Sequence, residues 1–251
     1  PTSHLLRINS LLKRRESALG LLTIAVQAES NSELLEALNM WSRARDVYEK
    51  KFNDNPRNET FLAGYLNCSM FLEDWERIEK CVNDFSTYTN DMQPKVAMIF
   101  AAAMRNTGGD PSQFLRAIKT DDPTSCIWRA IVSLDRNNIE VAEKWVSRGL
   151  TLLSQEIGSF ASGSYEPAIP TICTAMMFEE LKDVTDQRKG LKTADEILKM
   201  WSSKADYVKR DATQLRNVHR VRELLQCTKE QKFTIHLDFV DSLRKLKEWT
   251  L

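Results

Sequence analysis

Apolar residues recur every three or four positions along almost the whole of this 251-residue chain, and no stretch alternates clearly with period two. That spacing lines one face of an α-helix, whose period is about 3.6 residues, and cannot line one face of a strand. Ala18, Leu21, Leu22, Ala25 and Ala28 form one such line, and Trp41, Ala44, Tyr48 and Phe52 a second. Trp75, Ile78, Val82 and Phe85 form a third, and Ile139, Ala142, Val146, Leu150 and Leu153 a fourth. The line Ala194, Ile197, Leu198, Trp201, Ala205, Val208 runs for about four turns. Val96–Met104 is apolar on every side, which predicts a helix sandwiched between neighbours. Breakers fall at Asn53–Asn58, Asn83–Pro94, Asn106–Pro111, Thr120–Ser125, Ser154–Pro167 and Thr185–Lys192. Thr228, with Gln231 three residues later, fits a capping box that starts the last helix. The pattern predicts an all-α fold of about fourteen helices, roughly 10–18 residues each, with links short enough to make neighbours antiparallel.

The helices also repeat. Trp41-x2-Ala44-x3-Tyr48 returns 34 residues later as Trp75-x2-Ile78-x3-Val82. Ala44, Tyr48 and Pro56 carry the spacing of the second helix of a tetratricopeptide unit, whose period is about 34 residues. Later segments drift from that phase, as Ala142-x3-Val146 does. A hairpin of this size has too little core alone and buries its face on the next one. The expectation is therefore an α-solenoid of tetratricopeptide-like helical hairpins, one array over residues 1–251 with a subdivision near 154–167.

Composition narrows the class. The chain carries 35 Lys+Arg and 35 Asp+Glu, a formal charge of zero, which argues against a general nucleic-acid binder. Its apolar runs are far shorter than the roughly 18 residues of a membrane span. It opens on Pro-Thr-Ser, with neither an initiator Met nor a signal-peptide core, and reads as a piece of a longer chain. Cysteines at 68, 81, 126, 173 and 227 form no CxxC pair, sit mostly among apolar residues, and read as reduced thiols of an intracellular, cytoplasmic protein.

Catalytic and metal constellations do not surface in the pattern. His4, His219 and His236 are far apart, outside any ligand spacing, and each reads as a surface or packing residue. Gly158-x4-Gly163-Ser164 has the outline of a phosphate loop but lacks its Lys and a preceding strand. Asn58-Glu-Thr60 and Asn67-Cys-Ser69 match the glycosylation sequon and read as chance matches in a chain with reduced cysteines. Glu73, Asp74 and Glu76 beside Trp75 read as a solvated helix face. The expectation is no catalytic residue, no metal ligand and no enzyme activity for this segment.

Charge is segregated all the same. Residues 29–91 hold 13 acidic and 7 basic side chains, while 186–222 hold 10 basic and 5 acidic. Two solvated faces of opposite sign account for this. The sharper alternative is an anion site, since Lys and Arg from adjacent helices can hold a polyphosphate. Arg216 and Arg220, four apart, share a helical side, and Lys209 and Arg222 are the other candidate contacts.

Several strings taken in order then resemble the FAT domain of the phosphatidylinositol 3-kinase-related kinases, most closely those of the target-of-rapamycin type. They are ALNMWSRARDVYEKK (Ala37 to Lys51), GYLNCSMFLEDWERI (Gly64 to Ile78), the long stretch from Trp128 to Ile169, MMFEELKDV (Met176 to Val184), and RVRELLQCTKEQKFTIHLDFVDSLRK (Arg220 to Lys245). Their order and spacing hold over roughly residues 8–248, with Gln187–Asp195 departing from the pattern. The resemblance implies a partial FAT domain: a non-catalytic helical scaffold of a large serine/threonine kinase. Such a scaffold would brace the kinase domain of the same parent chain and dock partner subunits in nutrient and growth signalling. It also implies inositol hexakisphosphate as a ligand that Lys209, Arg216, Arg220 and Arg222 would contact, and a parent that also works in the nucleus or on endomembrane surfaces. Exposed array ends would allow a homodimer of the fragment. The alternative is a free-standing tetratricopeptide-like adaptor that binds protein partners.

Overall fold

The computed structural model describes residues 31–38, 40–56, 58–85, 94–119, 121–157, 168–204 and 212–245. Among these residues there are twelve α-helices and no strand. The helix expected over Ala18–Ala28, and Ala205 and Val208 of the Trp201 line, lie outside them. The chain divides into two compact units, Pro1–Lys119 and Thr120–Leu251. The first carries α1 (Ser32–Ala37), α2 (Trp41–Asp54), α3 (Glu59–Phe71), α4 (Trp75–Phe85), α5 (Pro94–Asn106) and α6 (Ser112–Ala117). The second carries α7 (Pro123–Asp135), α8 (Ile139–Ile157), α9 (Ala168–Arg188), α10 (Ala194–Lys204), α11 (Ala212–Arg222) and α12 (Lys229–Lys245).

In the first unit the 34-residue repeat has a structural meaning. Trp41 and Trp75 each open a helix, Ala44 and Ile78 have no exposure, and Tyr48 and Val82 are buried. One period therefore steps from α2 to α4, by one hairpin, and puts matching positions at matching depth. The antiparallel pair α2/α3 is closed at one end by the Trp41 ring stacked on Phe71, with centroids 4.0 Å apart and planes at 15°. Further along, the Tyr48 ring lies against Gly64, where a Cβ would overlap it. Asn58, one of the two sequon residues, caps α3 by accepting a hydrogen bond from the Thr60 N–H at 3.0 Å. Helix α5 is enclosed as its composition predicts, with Val96, Ala97 and Ile99 to Ala103 buried against α3, α4 and α6. Phe100 meets Phe114 of α6 edge-on at 5.4 Å.

In the second unit α7, α8 and α9 pack on one another, α9 also touches α10 and α11, and α12 packs on α11. Apart from α10 and α11, each helix thus packs on the next, and α9 packs on the next but one on both sides, the layering of stacked hairpins. The capping box at the start of α12 is present: Gln231 N–H donates to Thr228 Oγ1 at 3.3 Å, and Thr228 N–H to Gln231 Oε1 at 2.8 Å. All five cysteines are free thiols, with Cys68, Cys126 and Cys173 buried. No helix among the described residues is long and apolar enough to cross a membrane.

Two expectations needed correction. Helix α9 does not break at Thr185 but continues to Arg188, because Thr185 Oγ1 bonds back to the Lys182 carbonyl at 2.7 Å and the last turn has partners of its own, described below. It stops at Gly190, whose φ of +74° lets the Leu191 N–H return to the Asp186 carbonyl at 2.9 Å. On α8 the buried line is Ala142, Val146, Gly149, Leu153, and Leu150 is 37 % exposed. The Phe178 ring of α9 fills the space above Gly149. A small residue, not a large one, is what lets these two helices approach.

The correction is testable. Gly149→Ala gains about 1 kcal/mol of helix propensity but forces a methyl into Phe178, which is fully buried and has nowhere to move. Overpacking of this kind costs about 1–3 kcal/mol, so urea titration should show net destabilisation. Leu150→Ala should change stability by less than about 0.5 kcal/mol, as an exposed site does.

Candidate functional site

The polar residues of the second unit converge on α9. This helix contacts four others, so it has little solvent face, and Glu180, Asp183 and Thr185 are buried along with Cys173, Phe178, Leu181 and Val184. A buried carboxylate needs a partner close by. For Glu180 it is Arg222, in the last turn of α11, which donates Nε to Oε2 at 3.0 Å and Nη2 to Oε1 at 2.6 Å. The planar guanidinium matches the carboxylate with two parallel bonds, the strong form of this pair. Trp201 of α10 lies over it, 5.4 Å from ring centroid to Arg222 Cζ.

Asp183, one turn on, is held from two sides. The Trp201 indole donates to its Oδ2 at 3.0 Å, and Lys192 Nζ to its Oδ1 at 2.8 Å. Lys192 reaches Asp186 as well, at 2.8 Å. These two hydrogen bonds hold the ammonium above the usual lysine range. At the end of α9 the Arg188 guanidinium donates to the carbonyls of Leu134 and Leu224, the latter at 3.3 Å. Those carbonyls lie at the C-terminal end of α7 and just past the end of α11, where partial negative charge accumulates. Burial pushes this arginine below its usual range. Gln187 beside it accepts from the Gln226 N–H at 3.0 Å.

Between α10, α11 and α12 lies a cavity of about 360 Å³, lined by Leu198, Trp201, Val218, His219, Asp238 and Phe239 among others. His219 stacks on Phe239, with centroids 4.0 Å apart and planes at 5°. Its Nε2 stands 3.1 Å from Nδ1 of His236 on α12. Burial, then the neighbouring His236, Arg222 and Arg220, push the His219 imidazole down to about 4, so the ring is neutral at physiological pH. His219 and His236 had read as isolated side chains, and the fold makes them a pair. His4 lies outside the described residues.

The four basic candidates have different surroundings. Lys209 lies outside the described residues, as does the Gly158–Ser164 loop. Arg216 and Arg220 are half-buried on α11, and Arg220 sits over the Trp128 ring at 6.0 Å while donating to Asn217 at 3.3 Å. Arg222 faces the other way, onto Glu180. An anion bound by all four would have to draw Arg222 from a carboxylate that has no exposure.

A family model described as the FAT domain matches residues 69–251. This chain belongs to the FAT domain family. Its relatives include serine/threonine-protein kinase mTor of Drosophila melanogaster, 23 % identical over 229 residues, covering 88 % of this chain and 9 % of the kinase. Serine/threonine-protein kinase TOR2 of Saccharomyces cerevisiae is 24 % identical over 253 residues, covering 96 % of this chain and 10 % of the kinase. Serine/threonine-protein kinase tor1 of Schizosaccharomyces pombe is 22 % identical over 230 residues, with 88 % and 10 % covered. The chain thus spans about a tenth of the length of the kinases it matches.

All of α9 to α12, with the Glu180–Arg222 pair, falls within the FAT match. In this FAT region the buried carboxylates Glu180 and Asp183 bond to Arg222 and Lys192, and Arg188 bonds to backbone carbonyls at helix ends. Sequence reading missed Glu180, although Cys173, Met177, Glu180 and Val184 step by four, three and four, and so place a carboxylate on an apolar line. The pair is open to a double-mutant cycle. Arg222→Ala takes the guanidinium away from the buried Glu180 and should cost about 3–5 kcal/mol in denaturant titration. Glu180→Leu combined with Arg222→Met should recover most of that loss. A loss in the double variant equal to the sum of the two single losses would mean that the two residues act independently.

Proposed function

We propose that this chain is a non-catalytic helical scaffold segment of a serine/threonine kinase of the target-of-rapamycin type. It works in the cytoplasm, braces the kinase domain of its parent, and presents helix surfaces to partner subunits. The observation that carries the reading is the FAT match over residues 69–251, joined to similarity with three such kinases that runs along nearly the whole chain.

The chemistry of the second unit supports it. Its buried ionic groups pair internally, while α12 turns a second apolar line outward. Phe233, Leu237 and Val240 recur at helical spacing and are 67 %, 52 % and 41 % exposed, whereas Ile235 and Ser242 on the inner side are buried. A helix with apolar residues on both sides is built to lie between two neighbours, and stacked helices offer extended surfaces of this kind.

Two measurements test the proposal together. In the full-length parent, Phe233→Asp with Leu237→Asp should lower kinase activity or partner recovery at unchanged expression. Residues 1–251 alone, given ATP and magnesium, should transfer no phosphoryl group. Transfer that a point substitution within this chain abolishes would overturn the scaffold reading. A segment that binds peptides but has no affinity for the parent kinase domain would favour an adaptor instead.

A further inference from the structure

We propose that His219, Glu223 and His236 form a zinc site that bridges α11 and α12. Glu223 is the first residue past α11, and its N–H still bonds to the His219 carbonyl at 3.0 Å, so it continues the side of the helix that carries His219, and His236 approaches from α12. Nε2 of His219 and Nδ1 of His236 share a hydrogen bond of 3.1 Å, and a metal ion would take the place of the proton between them. Glu223 Oε1 stands 3.8 Å from the same Nε2, and the three ligand atoms all lie within 4.8 Å of one another. A tetrahedral zinc ion with bonds of about 2.0–2.1 Å keeps its ligand atoms about 3.3 Å apart. The histidine pair is already near that separation, and the glutamate has to close by about 0.5 Å on His219 to complete the set.

Two imidazoles and one carboxylate suit zinc among the common divalent ions. His219 is preorganised for the role, because its ring is clamped flat on Phe239 and its side chain is only 11 % exposed. Its neutral form is the one that ligates a metal. His236 is exposed and the Glu223 side chain is 38 % exposed, so an ion can enter from solvent and keep a water in the fourth position. Of the two arginines that act on His219, Arg222 is matched by Glu180. The bound ion would cross-link the last two described helices and make the seating of α12, with its outward apolar line, depend on zinc.

The test uses the intact 251-residue chain, stripped with a chelator and titrated with zinc chloride. One equivalent should bind saturably and raise the melting temperature, because the ion prefers the folded state. Cobalt in its place should give the visible absorption of a tetrahedral site without a thiolate charge-transfer band. His236→Gln and Glu223→Gln sit at solvent-accessible positions that do not support the core. Each should keep the wild-type circular dichroism yet weaken zinc binding by at least the 10–100-fold, or about that, which losing an outer-shell partner costs. Absence of saturable uptake overturns the proposal, as does uptake unchanged by both substitutions. So does a cobalt–thiolate band, which would assign the metal to cysteines such as Cys81 or Cys227.

Discussion

Glu180 has no contact with solvent, and a carboxylate in that position can stay charged only if something nearby replaces water. Arg222 does so with two bonds from one planar face. The geometry of that fork is narrow, so the pair restrains both the distance between α9 and α11 and their rotation about their own axes. Trp201 covers the guanidinium and reaches Asp183 with its indole, which ties α10 to the same two helices. Much of the second unit depends on this junction. Its net contribution to stability against an apolar replacement is small, whereas leaving either partner alone is costly. It selects one arrangement of helices more than it deepens the well.

The end of α9 applies the same principle to backbone groups. Carbonyls at helix ends carry partial negative charge, and Arg188 bonds to one at the end of α7 and one just past α11. Gln187 fixes the turn after α11 through Gln226. A long helix whose last residues clamp the ends of two others is a rigid strut. Such a strut would suit the bracing role proposed above, as would charged residues that bond inward while apolar ones such as Phe233 remain outside.

Much of the fold could be read from the residues. The apolar lines through Ala44, Ile78, Val146 and Trp201 named buried positions correctly, the enclosed character of Val96 to Met104 held, and Thr228 with Gln231 marked the start of α12. The 34-residue step turned out to be one hairpin. The reading failed where a local rule met a non-local partner. Leu150 looked like a core residue until Phe178 occupied that place above Gly149. The Thr185 region looked like a break, but Thr185 bonds back within its own helix and Arg188 reaches carbonyls at the end of α7 and just past α11.

The candidate sites were far less legible. Arg222 was noticed for its charge, but its partner lies 42 residues away, and His219 and His236, 17 residues apart, looked unrelated. The sequence by itself determined that the chain is helical, where most helices start and stop, and which family it resembles. These follow from periodicity, capping and ordered short motifs, all of them local. Tertiary structure alone decided which polar atoms are inside and which meet. Periodicity orients a side chain about its own helix axis and says nothing of what another helix brings to it. On a helix enclosed by four others that arrival separates a solvated carboxylate from a buried ion pair.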